Sequence, residues 1–332
     1  MKFFITIVAI FALVTSLFAQ SPVSFSGDFR FRHQTTLMTN QTSIGSEALR
    51  FRLNAEAVAD SYFTVSARLV TGTTNPLSNE SPVMFGKSNI WIDRIFITAH
   101  YKNAVKIYGG KMPNPFIYTP MHFDPDLNFD GFAAQLQDKH LFANAGGFWI
   151  NESTVPANQG LLAGQLGANI GHATAAVGYY HYINLKEHPL LYNVSNSFGN
   201  TSSNGVYAYE YNIVDANMTY QLSRILFAGN YMHNTAAKEK NVAWLAGAEG
   251  NLKYVTLGAY YCDMQADALV GALTDDEPGG GTDLKGYLVT AYLTPSKNTR
   301  AGAKYYYSTI LPGTASEFLD RRVLLDFELK FN

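Results

Sequence analysis

A chain of 332 residues with a formal net charge of −2 has no basic excess, which excludes an ordinary nucleic-acid binder. Its one cysteine, Cys262, excludes an intrachain disulfide framework and a cysteine-based zinc site. Charged residues are 15% of the chain and aromatics 14%, with 22 Phe and 21 Tyr; ordinary soluble domains carry about 25% charged residues.

In chain order, Met1 and Lys2 precede an apolar run over residues 3–18, closed by the small residue Ala19. A positive start, a short apolar stretch and a small residue predict a signal peptide over residues 1–19, leaving 20–332 as one domain. No later stretch reaches the roughly 18 to 20 consecutive apolar residues of a membrane-spanning helix. The pattern that follows is alternation. Val23, Phe25, Phe29 and Phe31 fall on one face, and Ser24, Ser26, Asp28, Arg30 and Arg32 on the other. Leu49, Phe51, Leu53, Ala55 and Ala57 then oppose Arg50, Arg52, Asn54 and Glu56; Phe63, Val65, Ala67 and Leu69 oppose Thr64, Ser66 and Arg68. Segments of about ten residues with period two predict an all-β transmembrane barrel, apolar face to lipid and polar face to a wet lumen.

Further strands are predicted over residues 89–101, 104–111, 128–137, 141–151, 160–171, 173–184, 206–221, 224–235, 241–252, 254–265, 283–294, 299–310 and 321–331, about sixteen in all. Apolar parity changes near Asp93–Arg94 and near Ile213–Val214, and both changes predict bulges. Seven short turns alternate with eight longer loops, at residues 39–45, 73–87, 112–127, 152–159, 185–205, 236–240, 266–282 and 311–318. Sixteen strands with both termini on the periplasmic side require that alternation.

The candidate functional residues follow from the parity. Arg30, Arg32, Arg50, Arg52 and Arg68 fall on the polar face of three consecutive strands, and barrel closure adds Arg300, Lys304 and Arg322 from the last two. As a bare strip they would attract anions and orient dipolar solutes. Paired with Asp28, Glu56, Asp326 and Glu328, they would instead be wall structure. Asp124, Asp126, Asn128 and Asp130 place oxygens at alternate positions before Gly131, but an EF-hand requires Gly where Phe129 stands and Glu where Gln135 stands. Ser203-Asn204-Gly205 matches the end of the outer-membrane phospholipase motif, with Thr201 where that motif has His; no nucleophile has a visible base, and the chain reads as a non-enzyme. Trp91, Trp149 and Trp244 are expected to be interfacial anchors.

Four segments carry a family resemblance: FSGDFRFRHQ, ALRFRLNAEAVADSYFTVSARLVTG, WIDRIFITAHY and VKIYGGKMPNPFIYTPMHFDPDLNFDGFAAQL. With them the chain resembles the "putative porin" family of Gram-negative outer membranes, a general-porin-like barrel. The resemblance implies a passive channel for small hydrophilic solutes and ions, without cofactor, embedded among outer-membrane lipids and lipopolysaccharide, as a homotrimer. The alternatives are a channel selective for anions or sugars, or a non-conducting barrel with a surface or adhesion role. The resemblance also implies that the proline-rich loop after the fifth strand folds inward. This expected constriction comprises Lys111, Pro113, Pro115, Tyr118, His122, Asp124, Asp126 and Asp130, its acids facing the arginines across a transverse field. One departure is the end of the chain, where Asn332 follows Phe331 and the usual last residue is aromatic.

Overall fold

A computed structural model describes residues 23–332 apart from 38–42, 84–85, 103, 152–157, 193–194 and 278. The segment read as a signal peptide lies outside the described residues. The sixteen long strands begin with β1 Val23–Thr36, β2 Ile44–Val58, β3 Phe63–Thr71, β4 Ile90–Tyr101, β5 Val105–Pro113 and β6 Asn128–Gln137. They continue with β7 Leu141–Asn151, β8 Gln159–Ile170, β9 Ala173–Ile183, β10 Asn212–Leu222 and β11 Ile225–Asn234. The last are β12 Val242–Leu252, β13 Val255–Met264, β14 Leu284–Ser296, β15 Thr299–Ile310 and β16 Phe318–Phe331. Each pairs antiparallel with the next, and β16 closes on β1 from Gly27 opposite Phe331 to Thr36 opposite Arg322. Closure leaves no unpaired edge, as lipid demands of a sheet.

The period-two pattern determines which side chains meet lipid. Phe51, Phe63, Ile95, Phe132, Leu166 and Phe327 are exposed on the outer surface. Trp244, Tyr261, Tyr287 and Tyr307 form a continuous row across β12 to β15, with ring centroids 5.3, 5.7 and 5.5 Å apart, as in an interfacial girdle. The three tryptophans are all exposed and lie near the loop ends of their strands.

The bulge in β4 forms. Arg68 stands opposite Arg94 but Leu69 opposite Ile92, so Asp93 is the extra residue. The second expected bulge does not form: β9 and β10 pair in unbroken register, Tyr180 opposite Ile213 and Tyr179 opposite Val214. β10 also starts at Asn212 rather than at 206, because Val206–Tyr207 pairs with Ser202–Ser203 in a small loop hairpin. Tyr211 and Ile213 are fully buried, and this inward apolar packing is what imitated a change of parity.

The core of the molecule is inside the barrel. Phe129, Phe148, Leu161 and Tyr180, from β6 to β9, pack with Phe116, Met121 and Phe123 of the 114–127 segment. The expectation of a uniformly wet inner face is corrected here: a loop that folds inward needs an apolar surface to dock on, and these strands supply it.

Candidate functional site: a charged wall facing an apolar wall

Strand register assembles the charged wall. β1 and β2 set Arg30 opposite Arg50 and Asp28 opposite Arg52, while β16 sets Asp326 opposite Arg32 and Glu328 opposite Arg30. Like charges opposed on neighbouring strands are destabilising unless a counter-charge intervenes. Here it does. Arg50 donates to Asp28 at 2.8 Å and to Glu328 at 3.3 Å, and Arg52 donates to the other Asp28 oxygen at 2.8 Å. Arg32 holds Asp326 with two bonds, 2.7 and 2.9 Å, the bidentate geometry that suits a guanidinium. Arg68 and Arg94 also oppose each other. Because Ile92 and Ile95 both stay exposed, the bulge lets Asp93 turn inward, where its carboxylate accepts from Arg68 Nε at 2.9 Å. Glu56 is exposed near the periplasmic end and joins no ion pair among the described residues.

Loops deliver the remaining counter-charges. The 72–89 loop is pinned over β2 where Ser81–Pro82 pairs with Ala48 and Leu49, which brings Glu80 onto Arg30 and, at 3.3 Å, onto Arg32. The 114–127 loop crosses the lumen. The Ile117 N–H donates to Gln165 on β8, the Thr119 hydroxyl to Asn230 on β11 at 2.7 Å, and Asp126 meets Arg52 at 3.3 Å. Proline at 115, 120 and 125 denies this segment regular pairing. Its aromatic side docks on the far wall, with Phe116 edge-on to Tyr180 at 5.3 Å and Phe123 to Phe129 at 5.1 Å. His122 is buried, stacked on Phe123, with its Nδ1 3.4 Å from Asp215 of β10. Between the charged wall, the inward loops and strands β10 to β15 lies a cavity of about 630 Å³, which Arg30, Arg32, Tyr118, Asp124, Glu249 and Lys304 help to line.

The family model described as "Putative porin" matches residues 34–204, just over half of the chain. The chain belongs to this porin family. Solved structures with the same fold include Salmonella typhi OmpF in complex with daunomycin, at 11% identity and TM-score 0.66, covering 94% of this chain and 98% of that one. A loop L8 deletion mutant of OmpT from Vibrio cholerae gives 14% identity and TM-score 0.60, covering 94% and 99%. A triple mutant of the Rhodopseudomonas blastica porin gives 12% identity and TM-score 0.57, covering 93% and 100%. No curated protein matches the chain. Family, barrel and neighbours together make this an outer-membrane channel of Gram-negative type.

The porin departs from the constriction expected from its sequence in two ways. Lys111 and Pro113 belong to β5 and Asp130 to β6, so the loop proper begins at 114. Lys111 and Asp130 stand opposite each other at the parity of the lipid-facing Ile107 and Phe132, away from the acids Asp124 and Asp126. Among the described residues no group of three or more His, Cys, Asp or Glu side chains is arranged to hold a metal ion.

The second departure is the inward course of a loop that sequence reasoning read only as a connection over residues 266–282. The 265–283 loop also folds inward and bonds to the first loop reciprocally: the Asp124 N–H donates to Leu273 O at 2.8 Å and the Asp275 N–H to Pro120 O at 3.0 Å. Its Glu277 accepts from Lys304 at 2.6 Å and approaches Arg32 at 3.5 Å, while Asp276 lies 3.7 Å from Arg322, which also holds Asp320 at 2.7 Å. Gly281, at φ +92°, sits so close to the 184–211 loop that a Cβ would lie 2.3 Å from Phe198 O. Burial pushes the Asp124 carboxyl up to about 8, with Asp126, Asp276 and Glu277 adding to the rise. Burial, Glu277 and Asp124 likewise raise Asp275 well above the usual carboxylate range. The signal was present in the sequence: residues 268–273 read Ala-Leu-Val-Gly-Ala-Leu, too apolar a run to lie in water as an exposed loop.

Proposed function

We propose that this channel passes small hydrophilic solutes and ions by diffusion through a constriction formed jointly by the 114–127 and 265–283 loops. The observation that carries the reading is the first loop's span: it is bonded to Gln165 and Asn230 on one side of the lumen and to Arg52 on the other. Asp28, Arg30, Arg32, Arg50, Arg52, Arg68, Arg300, Lys304 and Arg322 act as wall charges, and a solute crossing between them and the loop acids experiences a transverse field that favours polar over apolar molecules. Both loops are packed inside the barrel rather than projecting from it, which favours a channel over an adhesive surface. Outer-membrane lipids and lipopolysaccharide surround the apolar belt, and the resemblance implies a homotrimer, which the mass of the detergent-solubilised particle tests. Deleting residues 116–122 should raise single-channel conductance in planar bilayers. Unchanged conductance from a deletion variant that still runs as a compact heat-modifiable band overturns the constriction.

A further inference from the structure

The arginine strip suggests an anion path, yet its guanidiniums are already occupied. Arg30 holds Glu80; Arg32 holds Asp326, Glu80 and Glu277; Arg50 holds Asp28 and Glu328; Arg300 holds the same Glu328 at 3.1 Å. An anion entering the cavity would have to displace bidentate, largely buried carboxylates that are already in place.

The acids of the cavity are not matched in return. Its lining carries four basic side chains, Arg30, Arg32, Arg50 and Lys304, and seven acidic ones, which include Asp124, Asp275 and Glu249. The charges that back this lining come in both signs. Arg52, Arg94, Arg300 and Arg322 stand behind it, but so do Asp28, Asp320, Asp326 and Glu328. Among the described residues Asp124, Asp275 and Glu249 have no basic group within ion-pair distance. Two of them lie at the loop junction. The third lies on β12, opposite Gly258 and three residues from the periplasmic end of its strand at Leu252. Burial holds the two junction acids protonated, so the uncompensated negative charge that a passing ion meets is Glu249, below the constriction.

We infer that the channel is selective for cationic solutes, with Glu249 as the residue that determines the sign. The inference rests on the channel reading and names its solute class. The physical reason is that a low-dielectric wall focuses the field of an unpaired charge into the aqueous space, whereas a neutralised pair presents only a short-ranged dipole.

The experiment is a reversal-potential measurement on the full-length protein in planar bilayers under a KCl gradient. The expected result is a potential displaced toward that of K⁺. Glu249→Gln, whose side chain makes no bond the fold depends on, should lower the K⁺ to Cl⁻ permeability ratio by roughly two- to fourfold, the effect of one incompletely screened charge. Asp124→Asn keeps an oxygen for the Asp126 N–H and replaces a carboxyl that burial already holds protonated, so it should leave the ratio near that of wild type. A potential displaced toward Cl⁻, or a ratio unmoved by Glu249→Gln in heat-modifiable barrels, overturns the inference while leaving a channel. Absence of any conductance overturns the channel reading itself, and this inference with it.

Discussion

Arg32, Arg50 and Arg68 on the β1–β3 wall are 6%, 6% and 4% exposed; Phe129, Phe148 and Tyr180 on the β6–β9 wall are 5%, 6% and 0% exposed. The two walls are equally dry and are kept so by different physics. The aromatic wall holds its loop through contact area, which is non-directional and worth about 1.5–3 kcal/mol for each large side chain buried. The charged wall holds its loops through directed hydrogen bonds whose net worth is modest as long as every partner is present. The loop acids connect the two, since the segment that buries Phe116 and Phe123 on one side presents Asp126 to Arg52 on the other. The barrel thus fastens one loop by packing and positions its charges by pairing.

The largest effect should come from the packed side. Phe123 is fully buried against Phe129, Tyr180 and His122, so Phe123→Ala should weaken docking of the 114–127 loop by about 3–5 kcal/mol. The checks are a lower temperature for loss of the compact gel band and larger, noisier single-channel currents. Currents as quiet as wild type would show that hydrogen bonds to Gln165 and Asn230 hold the loop without the aromatic dock.

The charged side should respond less, and differently. Arg50→Ala leaves Asp28 and Glu328 facing each other without their shared guanidinium, a loss of about 1.5–3 kcal/mol for hydrogen bonds to charged groups. The folded band should be lost at lower temperature, while the 114–127 loop, which Arg50 does not touch, stays docked. If current noise rises as much as in Phe123→Ala, the two walls do not act separately.

This division explains how much was legible in the sequence. The outer face was legible because period two is a local property, so Phe51 and Phe63 could be placed from their immediate neighbours. The inward turn of Asp93 was legible as a break in that local pattern. What local patterns cannot carry is which loop meets which strand. Three of the expected counter-ions, Asp28, Asp326 and Glu328, do pair with the arginines, and they lie on adjacent strands. Asp126 meets Arg52 as its expected place opposite the arginines implied, but Glu80, Asp93 and Glu277 were not foreseen as arginine partners; two of them arrive on loops and the third on a bulge. The inner aromatic wall was hidden for a related reason: Phe148 and Tyr180 occupy inward positions that read as interruptions of a polar face until the loop that covers them is in place.

A smaller effect should appear with pH at the junction between the loops. The Asp124 carboxyl is raised to about 8, so the docked junction favours its protonated form. Ionisation begins to cost once pH passes the ordinary carboxylate range near about 4 and is complete above the raised value. The junction is therefore tightest in acid, loosens as pH climbs toward 8 and changes little beyond. The open-to-closed ratio in bilayer recordings should rise on the order of a hundredfold from about pH 6 to about pH 9. Asp124→Asn should flatten part of that rise, since Asp275, raised by the same burial, remains to titrate there. A variant with the full wild-type slope would assign the pH dependence to other groups.

The smallest effect separates two arginines that share one carboxylate. Glu328 accepts from Arg50, whose side chain is 6% exposed, at 3.3 Å and from Arg300, whose side chain is 44% exposed, at 3.1 Å. Distance alone would rank the Arg300 bond as the stronger. Solvent reverses the order, because an exposed guanidinium recovers in water most of what it loses with its partner, and exposed pairs are typically worth about 0–1 kcal/mol. Arg300 also lies over the Tyr292 ring at 4.8 Å, a second attachment that keeps it in place without Glu328. Arg300→Ala should therefore leave the stability of the folded band within that small range of wild type, and Glu328 remains neutralised by Arg50. Single and double substitutions of Arg50 and Arg300 measure this coupling directly. If Arg300→Ala destabilises the barrel as much as Arg50→Ala, Glu328 depends on both arginines equally, and burial is not what gives the charged wall its strength.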